Sequence, residues 1–365
     1  MHIALLSPRS DIHTVRWANA LSERGHRIDL LSLHNDGGDP LHEKVSLHEL
    51  MLPAPVGYYG NLIHIRKLLR ELSPDILHAH YATGYGTLGR LSGYHPYMLS
   101  VWGSDVYEFP YRSFLHCRVL TKNLLAAEDL CSTSQAMADQ THEVARAKLP
   151  SIHVTPFGVD LDKFKPTDNP EGFSEKDTVV IGTVKKLEDK YGVDILLRSF
   201  ARSRKLMQTR GDERSLRLLI VGDGPNRESL EELSQHLGVC DVTTFVGAVP
   251  HSEVPNYLAK LDIYVAASRY ESFGVAIIEA SACGKPVIVS DVGGLPEVVR
   301  HRETGFVFPE DEVDSFARAM EMLVKNPEKR KEMGENGRSY VAARYSWPAC
   351  VDQMECVYES LISRG

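Results

Sequence analysis

Two separate series of short apolar segments, each alternating with helix-like segments, constrain this sequence most strongly. In the first series, His2–Ser7 precedes a helical pattern that stops near Gly25, and Arg27–Leu33 follows. In the second, Val179–Thr183 precedes a helical pattern that runs through 196–204, and Leu216–Val221 follows. Strands that alternate with helices indicate parallel βαβ units. The sequence therefore predicts two doubly wound α/β domains.

The boundary between the two series is predicted from composition. Residues 160–177 are rich in Asp, Lys and Pro, which is typical of a linker. We therefore expect one domain over 1–165 and a second over 166–345. A terminal helix is expected over 346–365, with Ser346 as its cap and an apolar stripe that packs on a domain surface. A chain of 365 residues also exceeds the usual size of a single core.

Charge and composition exclude several classes of protein. Residues 1–165 carry 16 basic and 17 acidic side chains, whereas the rest carries 25 and 32. An acidic second half argues against a nucleic-acid partner, which needs a basic face. No apolar run approaches the length of a membrane span, and Ile3–Leu6 is too short for a secretory signal. The six cysteines include no C-x-x-C pair. We expect a cytoplasmic protein with unpaired thiols.

The most informative stretch is 268–290, SRYESFGVAIIEASACGKPVIVS. It contains the end of a strand, a loop with Glu271, a Ser-Phe-Gly turn at Gly274, and a helix that carries Glu279. Ligands of open α/β sheets bind at the carboxyl ends of the strands, and a helix N-terminus there favours a pyrophosphate. Either glutamate alone would most simply be an exposed charge. With Gly274 between them, we expect Glu271 to face a sugar and Glu279 to accept hydrogen bonds from a ribose.

Two further segments follow predicted strands. Residues 183–192, TVKKLEDKYG, place three lysines within six positions, which could neutralise two phosphates, although a solvated basic loop is the simpler interpretation. Residues 221–227, VGDGPNR, begin like G-x-G-x-x-G, but Arg227 replaces the third glycine. This second segment predicts a strand-to-helix turn without dinucleotide specificity.

Candidates in the first half are Asp11 and His13, His78 and His80, and Trp102–Asp105. Each group follows or ends a predicted strand, so all could line one crevice. We expect His78 and His80 to point to opposite faces of their strand, so that only one can face this crevice and the other is a buried or hydrogen-bonded histidine. No third ligand is suitably spaced and no H-E-x-x-H is present, so we expect no metal site.

The second half resembles family 4 of the retaining glycosyltransferases, which have the GT-B fold. The resemblance rests on RYESFGVAIIEASACGKPVIVSDVGGLPEVV, VGDGPNRESL, FVGAVP, LDIYVAAS and ETGFVFP, and more loosely on HAHYATGYG and SVWGSDV in the first half. It implies two Rossmann-like domains that face each other across a cleft, with the C-terminal helix 346–365 crossing back to pack on the first domain. It also implies a set of donor contacts: Glu271 to the transferred sugar, Glu279 to the ribose, Lys186 and Lys190 to the phosphates, the N–H groups of Gly274 and Val275 to the phosphates, and Ala248 and Val249 near the base.

The first half departs from the family at one catalytic position. Many members have His-Gly-x-Asp where this chain has Trp102-Gly103-Ser104-Asp105. If that histidine assists the chemistry in relatives, this protein either does without it or uses Asp105 or His80, so that Glu271, Asp105 and His80 are the candidate catalytic residues. Asp11, His13 and Trp102 are expected on the acceptor side, although the loop after the first strand lacks the family's common Gly-Gly pair.

The resemblance implies a reaction that needs no cofactor and no bound metal, because the nucleotide-sugar is itself a substrate. Lysines and the helix N-terminus would stabilise the departing pyrophosphate. A UDP-sugar is the favoured donor and a GDP-sugar the second choice. The acceptor is expected to be a saccharide or a lipid-linked sugar of cell-envelope polysaccharide or glycolipid synthesis.

Three alternatives stay open at this point: a sugar-nucleotide epimerase of the same fold, a nicotinamide-dependent oxidoreductase, and a non-catalytic sugar-binding protein. Peripheral contact with the inner face of a membrane is a further option. Ile63–Leu72 and Tyr111–Lys122 mix basic and apolar residues, as membrane-surface segments do. Ordinary amphipathic helices packed on a sheet are the simpler interpretation of both segments.

Overall fold

The computed structural model describes residues 1–34, 36, 39–167, 178–212 and 214–364. The chain divides into two compact units. The first unit comprises Met1–Phe157 together with Trp347–Gly365, and the second comprises Gly158–Ser346. Of the predicted linker, residues 168–177 lie outside the described part of the chain.

The first unit is built on a seven-stranded parallel sheet with the order β3-β2-β1-β4-β5-β6-β7. Most of its strands are buried along nearly their whole length, as expected for a sheet covered on both faces. The strands are β1 His2–Leu6, β2 Arg27–Ser32, β3 Val45–Glu49, β4 Ile76–His80, β5 Tyr97–Val101, β6 Asp129–Ser132 and β7 Ile152–Val154.

Helices that connect these strands are α1 Ile12–Glu23, α2 Gly57–Gly60, α3 Leu62–Leu72, α4 Gly84–Ser92, α5 Ser104–Tyr107, α6 Phe114–Leu124 and α7 Gln135–Ala145. Short polar side chains cap several of them. Asp11 accepts from the N–H of His13 in α1, and Ser113 and Ser134 cap α6 and α7. Such caps satisfy N–H groups that have no partner inside the helix.

The second unit contains a six-stranded parallel sheet with the order β10-β9-β8-β11-β12-β13. The strands are β8 Thr178–Val184, β9 Ser215–Val221, β10 Thr243–Gly247, β11 Ile263–Ala266, β12 Val287–Ser290 and β13 Gly305–Phe308. The helices are α8 Val193–Thr209, α9 Arg227–His236, α10 Val254–Ala259, α11 Val275–Ala282, α12 Leu295–Val298, α13 Val313–Lys325 and α14 Pro327–Tyr345. The two predicted doubly wound α/β domains are therefore present.

The last helix, α15 Trp347–Ile362, belongs to the first unit and packs on α1. Its indole at Trp347 contacts Trp17 edge-on, with ring centroids 5.2 Å apart. The apolar stripe of α15 is buried, and the Tyr358 hydroxyl lies 2.7 Å from His78 Nδ1 inside the core. None of the helices in the described part of the chain is both long and apolar enough to cross a bilayer.

Candidate active site

The topology of the second sheet fixes where a ligand of this unit would bind. Strands β8 and β11 are neighbours, but the chain continues from them toward opposite edges of the sheet. The loops that leave their carboxyl ends, 185–192 and 267–274, therefore separate and leave a crevice between them. Both sequence segments singled out for phosphate and sugar contacts lie in these two loops.

A buried ion pair lies in this crevice. Lys185, the first residue after β8, donates from Nζ to the Glu271 carboxylate, and their side chains are only 9% and 14% exposed. Burial alone would lower the pKa of Lys185, but the charge of Glu271 and its hydrogen bond raise the pKa above its ordinary value. Lys185 is therefore a permanent cation next to the predicted sugar contact. The sequence had assigned the phosphate contacts to Lys186 and Lys190.

Tyr191 brings a second lysine to the same place. The Nζ atoms of Lys185 and Lys190 lie 4.8 and 5.2 Å from the centroid of the Tyr191 ring. Both distances are within the range of cation–π attraction. Lys190 also pairs with Glu188 at 3.1 Å, whereas Lys186 is exposed. The Tyr191 ring, between Lys190 and Gly192 in the chain, thus contacts two cations, one of which pairs with Glu271.

The two loops of the crevice are held together by close backbone contact. Gly192 has a φ of +59°, and a Cβ at this position would lie 1.8 Å from the carbonyl oxygen of Ala267. The carbonyl of Lys190 accepts from the N–H groups of Arg269 and Tyr270. Only glycine fits at 192, so this residue sets how near the lysine loop approaches the Glu271 loop.

Arg269 adds a side-chain clamp to this contact. Its guanidinium donates two 2.8 Å hydrogen bonds to the Asp194 carboxylate and one of 3.0 Å to the carbonyl of Asp189. Paired hydrogen bonds of this kind fix direction as well as distance. The segment that carries Lys190 is therefore tied at both the backbone and the side-chain level to the segment that carries Glu271.

The N-terminus of α11 lies in the loop after Glu271. Gly274 precedes its first residue, Val275, and has a φ of +110°. This backbone conformation is strained for residues with a side chain, so glycine is the residue that fits at the start of the helix. Glu279, in the second turn, is 5% exposed. The sequence-predicted anion site and ribose contact are thus on one helix.

His251 follows the loop of Ala248 and Val249, which was predicted near the base, and it hydrogen-bonds to Glu279. Its Nε2 lies 2.8 Å from Glu279 Oε1, and its Nδ1 lies 3.1 Å from Lys163 Nζ. Ala248 is exposed and Val249 half-buried, two to three residues before His251. Sequence reasoning missed His251. The sequence did contain one indication of its role, because His251 directly follows the Gly-Ala-Val-Pro turn that includes the two residues predicted near the base.

The first unit has a comparable crevice, since β1 and β4 are neighbours whose connections diverge. Asp11 follows β1 and caps α1, and Tyr81 follows β4 and donates 2.9 Å from its hydroxyl to Asp11 Oδ2. Tyr81 has a left-handed φ of +67°, which is uncommon for a bulky residue. Burial and the charge of Asp11 raise the pKa of Tyr81, so its hydroxyl stays protonated.

Asp105 holds the loops around this crevice. Its carboxylate is 1% exposed and accepts hydrogen bonds from the N–H groups of Ala82, Trp102 and Gly103 at 2.8 to 3.3 Å. Burial raises the pKa of Asp105, and the backbone donors oppose that rise. With its oxygens occupied by the backbone, Asp105 positions Trp102.

His78 and His80 are both buried, with ring centroids 4.6 Å apart. Residues two apart on a strand project from the same face, so the expectation that these two histidines point to opposite faces was wrong. His78 bonds to Tyr358 and Ser100, and His80 bonds to Ser7 at 2.9 Å. Burial lowers the pKa of His78 to about 3 and the pKa of His80 well below its ordinary value. Both rings are neutral at pH 7.

Aromatic rings line the first crevice. Trp102 lies 4.3 Å from the His80 ring and 5.1 Å from the Tyr81 ring. His13 stacks on Phe157 with centroids 3.8 Å apart. The predicted acceptor-side residues Asp11, His13 and Trp102 therefore lie in one neighbourhood. Across the described residues, no group of three or more His, Cys, Asp or Glu side chains is arranged to hold a metal ion.

Two family models match the chain. A model for glycosyl transferases group 1 matches residues 164–340, and a model for glycosyl transferase 4-like proteins matches residues 2–134. The chain is 33% identical over 211 residues to the GDP-mannose-dependent alpha-(1-6)-phosphatidylinositol monomannoside mannosyltransferase of Mycobacterium tuberculosis, which covers 54% of this chain and 53% of that protein. The chain thus spans about half the length of this relative.

A longer match is 27% identical over 357 residues to the D-inositol 3-phosphate glycosyltransferase of Kribbella flavida, covering 89% of this chain and 80% of that protein. Among solved structures, a sucrose-phosphate synthase from Thermosynechococcus elongatus superposes with a TM-score of 0.83 at 23% identity, covering 100% of both chains. Anabaena HepE in complex with UDP has a TM-score of 0.82 at 19% identity, covering 99% of this chain and 100% of that one.

The structural likeness confirms the GT-B fold class that the sequence predicted. The two family models lie on the two units in turn, one on each sheet. The resemblance noted from the Glu271–Glu279 segment is confirmed by these matches. The group 1 model and the 4-like model together span most of the chain. The chain belongs to the family 4 glycosyltransferases, which have the GT-B fold.

Proposed function

We propose that this protein is a retaining hexosyltransferase that moves a sugar from a nucleotide-sugar donor to a saccharide or lipid-linked acceptor. The observation that carries the proposal is the grouping of Lys185, Lys190 and Glu271 at the crevice of the second sheet, next to the N-terminus of α11. Two cations and a helix N-terminus suit a diphosphate, and a carboxylate beside them suits a sugar. The relatives named above are transferases, which favours transfer over epimerisation or sugar binding alone.

In this proposal the donor's diphosphate lies between the lysines and the N–H groups of Gly274 and Val275. Lys186 lies at the exposed rim of the same loop and can add to the local positive charge. As the bond between sugar and phosphate breaks, negative charge grows on the phosphate oxygen. Fixed cations that already point at this position stabilise the charge without reorganising. The same oxygen can accept the acceptor's proton, so no separate general base is required.

Glu271 and Glu279 would hold the two ends of the donor. Glu271 contacts the transferred sugar, and when phosphate takes over Lys185, the Glu271 carboxylate becomes available to sugar hydroxyls. Glu279 binds the ribose while His251 keeps its carboxylate oriented. Ala248 and Val249 lie near the base. Bidentate or paired contacts at both ends would fix the sugar carbon in one position relative to the leaving group.

On the acceptor side, we assign Asp11, His13 and Trp102 to the first unit's crevice. Asp11 can accept a hydrogen bond from a sugar hydroxyl, and its bond to Tyr81 fixes its direction. The neutral, buried state of His80 and the three backbone bonds of Asp105 favour positioning roles over proton transfer for these two residues. They would act through Trp102, which contacts both.

The proteins similar to this chain differ in the nucleotide that they are named for or were solved with. One relative is named for GDP-mannose, and a structural neighbour was solved with UDP. We favour a UDP-sugar and keep a GDP-sugar as the second choice. We place the reaction in the cytoplasm, with the acceptor a product of cell-envelope polysaccharide or glycolipid synthesis. No metal ion or other cofactor is part of the proposed reaction.

Donor binding and turnover can be tested together. Thermal unfolding with UDP-, GDP-, ADP- and CMP-sugars should identify one nucleotide that raises the midpoint, because only the folded state binds it. Lys190→Ala should then abolish that rise and reduce transfer by about 10²-fold or more. Lys331→Ala, on the exposed face of α14, is the matched control and should change neither. Full activity of Lys190→Ala with the identified donor would refute the assignment.

A further inference from the structure

An open groove of about 620 Å³ lies on the first unit, away from the crevice at β1 and β4. Its walls are the 3₁₀ turn Phe109–Arg112, α6 from Phe114 to Lys122 and the end of α7. Apolar side chains of the lining include Pro110, Phe114 and Val144. None of the roles assigned above uses this groove.

Three large apolar side chains stand beside the groove and face water. Tyr111, Phe114 and Leu115 are 67%, 72% and 71% exposed. Their backbone is firmly held, since Ser113 caps α6 and Gln140 of α7 donates 2.9 Å to the Tyr111 hydroxyl. Soluble surfaces seldom present several such side chains within five residues on an ordered element. A fixed apolar edge of this kind is suited to insertion into an apolar medium.

Basic side chains surround this apolar edge. Arg118, Lys122 and Arg146 line the groove with a single acidic residue, Glu143. Arg112 is exposed next to Tyr111. Arg118 and Lys122 are one turn apart on α6, and the Arg118 guanidinium lies 5.5 Å from the Phe114 ring centroid. A local excess of positive charge therefore lies on a protein whose net charge is −8.

We propose that this surface, Tyr111–Leu115 with Arg118, Lys122 and Arg146, binds the anionic face of a lipid bilayer. Apolar side chains would enter the boundary between headgroups and acyl chains while the long basic side chains reach lipid phosphates. A bilayer is favoured over a protein partner because three basic side chains line the groove against one acidic side chain, which matches an anionic lipid surface. The proposal deepens the proposed function by identifying where a lipid-linked acceptor would be met.

Ile63–Leu72 on α3, the other segment that mixes basic and apolar residues, differs in the contacts of its basic side chains. Ile63, Val56, Tyr59 and Met51 are 83%, 67%, 60% and 78% exposed, so apolar exposure near α3 is at least as large. However, the Arg66 guanidinium donates to the carbonyls of Leu91 and Ser92, and Arg70 donates to the carbonyl of Arg66. The exposed charge of Lys67 is balanced by Glu71 one turn away. This contrast assigns the bilayer contact to the α6 groove and supplies a matched control.

Co-sedimentation of the whole chain with vesicles tests the surface without donor or acceptor. Binding to phosphatidylcholine vesicles that contain phosphatidylglycerol should exceed binding to phosphatidylcholine alone by about tenfold or more, and added salt should weaken it. Phe114→Ser with Leu115→Ser should reduce the bound fraction by about tenfold, and Arg118→Glu by roughly fivefold. Val56→Ser with Ile63→Ser, which removes a similar exposed apolar area, should bind like the unchanged protein.

Thermal unfolding and donor hydrolysis show whether each variant is folded. A loss of vesicle binding with donor hydrolysis intact would concern only the membrane surface, whereas a lack of sugar transfer by a protein that binds vesicles would concern only the proposed enzyme activity. No preference for anionic vesicles in the unchanged protein would overturn the proposal. Equal binding by the Phe114–Leu115 variant, or an equal loss in the Val56–Ile63 control, would overturn the assignment to this groove. A shift to dimers instead of vesicle binding would identify a second copy as the occupant and also overturn it.

Discussion

The crevices of the two units lie at the same place in the sheet topology, but the side chains that meet there differ in charge. In each sheet the strand that begins the unit and the fourth strand of that unit lie side by side, and the residues that follow them meet across the gap. In the first unit this pair is Asp11 and Tyr81, a carboxylate and a neutral hydroxyl. In the second unit it is Lys185 and Glu271, a full ion pair. The fold thus determines where residues meet, and the side chains determine what they bind.

The difference extends to how each crevice is held. Backbone N–H groups and neutral imidazoles support the first one, through Asp105 and through His78 and His80. Ion pairs such as that of Arg269 with Asp194 support the second. Neutral, aromatic surroundings suit an uncharged sugar acceptor, whereas paired charges can be redistributed when a diphosphate arrives. Four experiments test this contrast.

The largest effect is expected for Lys185→Met, which keeps the side-chain volume and removes the charge. We expect kcat/KM for transfer to fall by about 10²–10³-fold, because a preorganised cation at the leaving group is lost. Tyr81→Phe, the corresponding change in the first unit, removes only a hydrogen bond and should cost less than about tenfold. Steady-state kinetics with the identified donor measures both. Comparable losses in the two variants would remove the proposed division between charged and neutral crevices.

The next effect concerns stability. Asp105→Asn leaves a weaker acceptor among three buried N–H groups and should lower the free energy of unfolding by about 2 kcal/mol. Urea denaturation measures this change. Asp139→Asn, at an exposed carboxylate of α7, is the control and should stay within roughly 0.5 kcal/mol of the unchanged protein. An Asp105→Asn protein with unaltered stability would show that this carboxylate does not support the first crevice.

A third prediction is a pH dependence that arises from the first unit. His78 has a folded pKa of about 3 and an ordinary pKa of 6.5, so below pH 6.5 the unfolded chain binds a proton that the folded chain does not. Stability should therefore be complete above pH 6.5 and should fall by about 2 kcal/mol for this residue at pH 5. His78→Gln should remove that part of the difference between urea midpoints at pH 7 and pH 5. An unchanged difference would contradict a neutral His78.

In the second unit the corresponding loss should begin at lower pH. Burial would raise the pKa of Asp194, but the hydrogen bonds and charge of Arg269 outweigh it and lower the pKa below its ordinary 3.8. The stabilisation from this carboxylate is present above that value and is lost only as the pH falls below it. Asp194→Asn should therefore leave the change between pH 7 and pH 5 as it is, which makes it the control for His78→Gln.

The smallest effect is expected for His251→Ala. Losing one hydrogen bond to Glu279 should raise the donor KM by about fivefold and leave kcat nearly unchanged, because the proposed ribose contact would be made equally in ground and transition states. His236→Ala, at an exposed position of α9, should change neither constant. A fall in kcat with KM unaltered would place His251 nearer to the chemistry than the structure suggests.

Most of the fold could be predicted from the sequence because buried parallel strands form continuous apolar runs. Strands β8 and β9 agree with their predicted ranges to within one residue at each end. β3 was missed because it is an edge strand with an alternating pattern and three exposed residues among five. An edge strand buries little, so its sequence is hard to distinguish from a loop.

The site was predicted less completely, for physical reasons that particular residues illustrate. The Glu271–Glu279 segment was found because spacing along one chain segment is visible in sequence. Lys185 and Lys186 are adjacent and identical in type, and only the direction of the backbone after β8 decides which one is buried against Glu271. The pairing of His251 with Glu279 joins residues 28 positions apart. No local pattern encodes such a contact.

The membership of α15 in the first unit affects the order in which the protein can fold. Residues 158–346 form a contiguous unit that has all its strands once they have been synthesised. The first unit, by contrast, lacks the Trp347 contact with Trp17 and the Tyr358 partner of His78 until the last helix leaves the ribosome. Its apolar α1 surface stays uncovered during that interval. The half of the chain made first is therefore the half completed last, and the one more dependent on protection from aggregation during synthesis.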